Sequence, residues 1–371
     1  MTLTPSRLLT RLDADIAAER DPLRADCLRA ERAAYLVRQG HAEEVKAELD
    51  ALHLRHDRRP NAEMSAWLSL VESLVSFFSD MGPLATDKMR RAHALSQAAG
   101  LTQLQARCAA WLALMTYLRL DISTMARYLS QSLALALPEN HAARSRASLV
   151  IALAYHTAER LDLALPWYTR SREHAVSEGD ETTISAVMHN MAWIRSNNMR
   201  KAALTGERDR GEGEHALMAA ESTWNFDQLV GATSLDTYVP LLHAQILSLQ
   251  GQPAQALELY KKHLQRGLTQ GLDRVQGSLI ADMAWCRVQV GELELAREDA
   301  IAAEACLEPE GNFDDRAPGY SRLAQVFASL GDADAAKRNE TSAALMWQGH
   351  AKIQSSILGA LGAVPEIQES F

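Results

Sequence analysis

The chain has 371 residues, with 38 basic and 47 acidic side chains and a formal charge of −9. Net acidity counts against a duplex-binding surface, which must neutralise phosphates with Lys and Arg, so no nucleic-acid partner is expected. Aromatic residues are only 6 % and runs rich in Val, Ile and Thr are few, which excludes a β-sandwich or barrel. Ala, Leu, Glu, Arg and Gln dominate, and these residues lose least on entering a helix, so the predicted class is all-α.

Residues 1–21 read as an N-terminal arm or helix. Arg7 and Asp13 interrupt it before any apolar run could form a signal core. The longest apolar run, Cys108 to Leu118, is about half a membrane span, so no membrane partner is expected. Cys27, Cys108, Cys286 and Cys306 form no CxxC pair and sit among Ala and Leu in helical patterns. They read as small buried hydrophobes in a reducing compartment, and the chain as cytoplasmic.

From residue 22 onward the sequence keeps a beat of forty residues. LQGQPAQALELY, QVGELELAREDA and SLGDADAAKRNE align on Gly251, Gly291 and Gly331, each followed five residues later by Ala256, Ala296 or Ala336. The phase extends back through Gly211, Glu159, Leu120 and Asp80 to Gly40, with Leu120, Glu159 and Asp80 standing where a turn glycine is expected. A turn glycine ends one helix, and a small residue after it lets the next helix pack closely. Such a hairpin cannot bury its apolar face alone and must stack on its neighbours.

Eight hairpins fit the length. Hairpins one to four and the first helix of the fifth take 22–195, and an insertion follows at 196–214. The rest of the fifth hairpin with hairpins six to eight takes 215–350, and a capping helix with its tail takes 351–371. That last segment carries Ile353, Ile357, Leu358 and Leu361 on one stripe, which either folds back on the last hairpin or forms a homodimer contact.

Ala152 with Tyr155, the segment Ala164 to Tyr168, and Gly251 with Ala256 and Tyr260 resemble the tetratricopeptide repeat (TPR) family. The forty-residue period resembles the MalT-like variety of bacterial signalling proteins, which include Rap-type peptide sensors. The resemblance implies a right-handed α-solenoid that binds proteins or peptides on its concave wall.

No catalytic residues and no cofactor are expected. There is no phosphate loop and no HExxH pair. His53, His56 and Asp57 have metal-ligand spacing but lack a third convincing ligand, so no metal is assigned. The repeat phase instead gives a wall of peptide- or protein-binding candidates: Trp67, Arg107, Arg146, His156, His189, Asn190, Arg195, Tyr238, Gln245 and Trp285. Residues 101–150 carry five basic and two acidic side chains in an otherwise acidic protein, and this local excess suits an acidic partner segment. Arg107, Arg144, Arg146 and Arg195 are the basic residues assigned to that wall or its lip. The leading expectation is a non-enzymatic interaction scaffold. The alternative is a ligand- or peptide-responsive signalling regulator acting on a separate output partner.

Overall fold

The structure is a computed structural model and describes residues 6–80, 82–206, 218, 221–223, 225–226, 238–272, 275–307 and 313–368. Among these residues every regular element is helical. After α1 (Arg7–Ala18), helices pair in chain order: α2 (Pro22–Gln39) with α3 (Ala42–His56), α4 (Ala62–Asp80) with α5 (Pro83–Ala98), α6 (Thr102–Tyr117) with α7 (Ile122–Leu135), and α8 (His141–Thr157) with α9 (Leu161–Glu178). A longer helix, α10, runs from Glu181 to Thr205. Beyond it α11 (Tyr238–Leu249) pairs with α12 (Pro253–Gly267), and α13 (Gln276–Val290) with α14 (Leu293–Leu307). Finally α15 (Phe313–Ser329) leads into α16 (Ala333–Gly362), and a short α17 (Pro365–Gln368) closes the described chain. Of the expected insertion, residues 196–205 continue α10, whereas 207–214, with Gly211, lie outside the described residues.

The hairpin turns are repeats of one backbone device. Gly40, Gly251, Gly291 and Gly331 all adopt positive φ, between 75° and 91°. After each, the next N–H donates to the carbonyl five residues earlier: His41 to Leu36, Gln252 to Leu247, Glu292 to Arg287 and Asp332 to Phe327. Leu120 (φ 57°) and Glu159 (φ 58°) take the same left-handed conformation without being glycine. Their neighbours close the same bond, Asp121 to Thr116 and Arg160 to Tyr155. Left-handed backbone costs an L-residue about 1–2 kcal/mol, and glycine's greater unfolded entropy returns about 0.5–1 kcal/mol of that. Glu159→Gly should therefore stabilise the chain by about 0.5 kcal/mol, read as a raised urea midpoint. A lowered midpoint would mean that Glu159 holds the turn by some other contact. Five residues after these turns, Val45, Ala164, Ala256 and Ala296 are each 1 % exposed or less, where the second helix closes on the first.

The chain divides into two compact units. The first comprises Met1–Val187, Phe226–Ser234 and Ser356–Phe371; the second comprises Met188–Asn225 and Leu235–Ser355. The core of the second unit runs through Tyr260, Leu279, Ala284, Leu323 and Phe327. Here Leu307 is wedged against two glycines, since a Cβ added to Gly277 or Gly319 would come within 2.8 or 2.9 Å of its side chain.

The first unit departs from simple stacking at both ends of the chain. Leu8 and Leu12 of α1 are buried with Tyr35 of α2. The Leu8 N–H also donates to the Gly179 carbonyl at the α9–α10 corner. At the other end α16 passes through residue 350 without a break, so no separate cap begins at 351. Ile357, Leu361, Val364 and Ile367 are at most 5 % exposed. In this unit α17 packs on α7, where the Ser130 hydroxyl donates to Glu366 at 2.9 Å. Of the stripe expected from the sequence, Ile357 and Leu361 are buried, whereas Ile353 and Leu358 are half-buried.

Candidate functional site

In the first unit the first helices of successive hairpins bring charged side chains to one pocket. Glu31, Tyr35 and Arg38 come from α2, Arg107 and Trp111 from α6, and Arg146 from α8. Asp180 and Thr183 come from the start of α10, and Leu8 of α1 covers one side. Space for water-sized occupants amounts to about 40 Å³ within a concavity of about 470 Å³. Two of the three arginines lie over a tryptophan of the preceding hairpin, Arg107 at 5.2 Å from the Trp67 ring centroid and Arg146 at 4.1 Å from that of Trp111, while Arg38 lies 5.0 Å over Tyr35. Trp67 and Arg107 are one forty-residue period apart, whereas Trp111 and Arg146 are 35 positions apart, so the second stack falls outside the strict repeat phase.

The pocket's charges pair off with one left over. Arg107 binds Glu31 at 2.7 Å, Arg38 binds Asp180 at 2.7 Å, and Arg11 of α1 binds Glu178 at 2.7 Å. Arg146 is 7 % exposed and makes no ion pair among the described residues. Its polar contact is a long one, 3.5 Å from Nη2 to the Thr183 hydroxyl oxygen. That hydroxyl already accepts from Arg38 at 3.1 Å and donates to Asp180 at 2.8 Å. Burial pushes the Asp180 carboxyl up, but Arg38 and the hydrogen bonds from Thr182 and Thr183 outweigh this and hold it at about 2. For Arg146, burial and then the nearby Arg38 charge lower the guanidinium to about 9, with Asp180 only partly opposing. It remains a cation at neutral pH, in a place that does not fully compensate it.

A polar clasp fastens α1 beside this pocket. The Ser6 hydroxyl and Tyr35 Oη both lie within 3.1 Å of Glu181 Oε2, and they are 2.8 Å from each other. Burial, and then the negative charge of Asp180, push the Tyr35 phenol above its ordinary range.

The other expected wall residues are distributed differently. Trp67 is half-buried beneath Arg107. His156 is 2 % exposed and bonded through Nδ1 to Tyr168 Oη at 3.1 Å, so its ring knits α8 to α9 instead of facing a partner. Arg144, assigned to the wall or its lip, caps the C-terminus of α7 through the Ala136 and Leu137 carbonyls. In the second unit His189 is buried, and Asn190 and Arg195 are half-buried on α10. Tyr238 begins α11, and its side chain lies outside the described residues. Gln245 is 2 % exposed and donates to Asp282 at 3.3 Å. Asp282 also binds Arg200 at 3.0 Å and Arg322 at 3.2 Å, and Arg322 lies 5.2 Å over Trp285. These side chains belong to a buried charge cluster, so Gln245 is core rather than wall.

The HLRH pair separates. His53 contacts Asp57 and Glu72 at 3.0 Å each, while His56 contacts Asp26 at 2.7 Å. Burial raises the thiols of Cys27 and Cys108 to about 12 and that of Cys286 to about 11, which keeps them protonated and poorly nucleophilic. Cys306 is the exception to the expected burial, being exposed on α14. No helix among the described residues is long and apolar enough to cross a membrane.

Of the expected wall residues, Arg107 and Arg146 line this pocket, together with Tyr35, Arg38, Asp180 and Thr183, which the sequence pattern did not single out. GDETT, at 179–183, does carry the signature of a helix start, and Asp180 accepts the Thr183 N–H at 2.9 Å. Nothing in the local pattern says that the same carboxylate holds an arginine 142 positions away.

The chain is similar in structure to a Rap protein in a crystal structure of that protein complexed with competence and sporulation factor, with a TM-score of 0.59 over 93 % of this chain and 92 % of that one. The fold is a TPR-like α-solenoid. At 14 % identity the likeness concerns architecture alone. No protein-family model matches the chain, and no curated protein matches it in sequence. In the first unit, the pocket holds Arg146, a buried cation with no ion pair among the described residues.

Proposed function

We propose that the chain is a non-enzymatic interaction scaffold that binds a peptide or protein segment at the pocket of its first unit. The observation that carries this reading is the convergence of Arg38, Arg107, Arg146, Tyr35 and Trp111 from three hairpins on one concavity. Arginine and aromatic side chains are the residues that most often anchor a partner. Unmatched positive charge there favours an acidic segment. The forty-residue beat supports the MalT-like variety of the repeat, and the protonated thiols suit a cytoplasmic chain.

A second reading has its own support. α1 is clasped at once to Tyr35 of α2 and to Glu181 of α10, so a ligand that parts this clasp would change how the two helices are held. That would make the chain a ligand-responsive regulator of a separate output partner.

A random dodecapeptide library selected on the full chain tests the scaffold. Enriched peptides should be rich in Asp and Glu, bind less tightly as salt rises, and lose at least tenfold in affinity on Arg146→Glu, about 1.4 kcal/mol. Enrichment without acidic residues, or binders indifferent to Arg146→Glu, would overturn the proposal. Reversing Arg107 is a poorer probe, because it would set a new carboxylate against Glu31.

A further inference from the structure

We propose that Arg146 is the floor of a subsite for a single carboxylate group, approached through the pocket of the first unit. This deepens the reading above and rests on it for what bears the carboxylate. Four observations point the same way.

The first is charge. Glu31, Asp180 and Glu178 are satisfied by Arg107, Arg38 and Arg11, which leaves Arg146 as the pocket cation with no ion pair among the described residues. A buried charge without a partner is costly, so an anion that reached Arg146 would relieve that cost.

The second is donor capacity. A guanidinium offers five N–H donors and no acceptor. The one bond it makes here, to Thr183 at 3.5 Å, goes to an oxygen that two shorter bonds already occupy. Meanwhile the face of the guanidinium is taken by Trp111 at 4.1 Å. Only its edge is left to bond, and a carboxylate meets that edge with two parallel hydrogen bonds.

The third is room. The pocket has about 40 Å³ for water-sized occupants, and one such occupant needs about 10–15 Å³. The two oxygens of a carboxylate therefore have room beside the guanidinium.

The fourth is valence. One unmatched cation, in company with Glu31, Glu178 and Asp180, suits a monoanion and repels a dianion. Burial and Arg38 also lower the guanidinium towards about 9, as expected of a cation awaiting its counter-ion.

The test follows the arginine side-chain Nε–Hε signals of the full chain by NMR, with that of Arg146 assigned by its loss in Arg146→Met. Sodium acetate, at ionic strength held constant with sodium chloride, should shift this signal saturably, and inorganic phosphate should not. No shift, or an equal shift with chloride alone, would overturn the subsite. In parallel, an acidic peptide from the library is compared with analogues in which each Asp or Glu becomes Asn or Gln. One analogue should lose at least tenfold in affinity for the wild type and lose nothing further against Arg146→Met. Equal losses against both proteins would sink the subsite while leaving the scaffold intact. An acetate response with no peptide captured would do the reverse, and would assign the subsite to a free carboxylate. Arg146→Met should itself melt higher than the wild type in the absence of carboxylate, whereas a merely structural arginine would melt lower when replaced. Should Arg146→Met fail to fold, Arg146→Lys gives the second arm, keeping the charge while losing the paired bonds and most of the acetate response.

Discussion

Asp282→Ala should cost the second unit about 3–5 kcal/mol, the largest loss expected from any single polar substitution in that unit. Asp282 is 2 % exposed and stands between Arg200 and Arg322, themselves 2 % and 5 % exposed. Its two oxygens bind one arginine each, at 3.0 and 3.2 Å, and Gln245 adds a third bond. Truncation removes the anion and leaves two buried cations facing each other, with no route to water that keeps the core closed. Arg200 retains bonds to the Ser278 hydroxyl and carbonyl, which hold the side chain in place and keep it from swinging out. Loss of the carboxylate should therefore loosen α13 and α15, the helices of Asp282 and Arg322, before the rest of the unit. Urea unfolding gives the size of the effect, and hydrogen exchange over Gln276–Val290 and Phe313–Ser329 gives its place. Adding Arg322→Met to Asp282→Ala should restore more than 1 kcal/mol, because neighbouring charges couple. A loss below 1 kcal/mol for Asp282→Ala, or protection unchanged in both helices, would show that water or backbone already carries these charges.

The local logic of the repeats was legible in the sequence because it is short-ranged. A turn residue, a small residue five positions on, and apolar positions between them all act within one hairpin. Even the irregular turns at Leu120 and Glu159 were locatable by phase, and the backbone there pays for an absent glycine by adopting positive φ all the same. What the pattern did not give are contacts that skip hairpins. Tyr35 meets Ser6 and Glu181, residues 29 and 146 positions away, and Ser130 meets Glu366 across 236. Such partners depend on how tightly the stack of the first unit curves, which follows from small rotations summed over several hairpins. The same limit explains the wall residues. Phase assigned Arg107 and Arg146 to first helices of their hairpins, and they lie on α6 and α8. It had no means of telling that the ring of His156 turns towards α9, or that Gln245 serves Asp282, because one helix position separates wall from core.

Asp180→Ala should cost the first unit about 3–5 kcal/mol, and here the loss divides into two parts that different measurements resolve. One part is capping: Asp180 accepts the Thr183 N–H at 2.9 Å, and losing a cap costs about 1 kcal/mol. The other is charge: Arg38, with a side chain 13 % exposed, loses its carboxylate, and Arg146 loses the anion that partly offset it. Asp180→Asn keeps most of the cap and removes the charge, so it should fall between wild type and alanine. The pH dependence has a definite sign. The carboxyl is held at about 2 in the folded chain against an ordinary 3.8, so its contribution is complete above pH 3.8 and is lost as pH falls from there towards 2. That window should hold about 2 kcal/mol of acid lability in the wild type and none from this group in Asp180→Ala. Arg146→Met added to Asp180→Ala should recover more than 1 kcal/mol, since it removes a second buried cation that the missing anion leaves further uncompensated. If it recovers nothing, the two groups do not feel each other across the pocket. The unmatched charge would then have to be sought elsewhere than at Arg146.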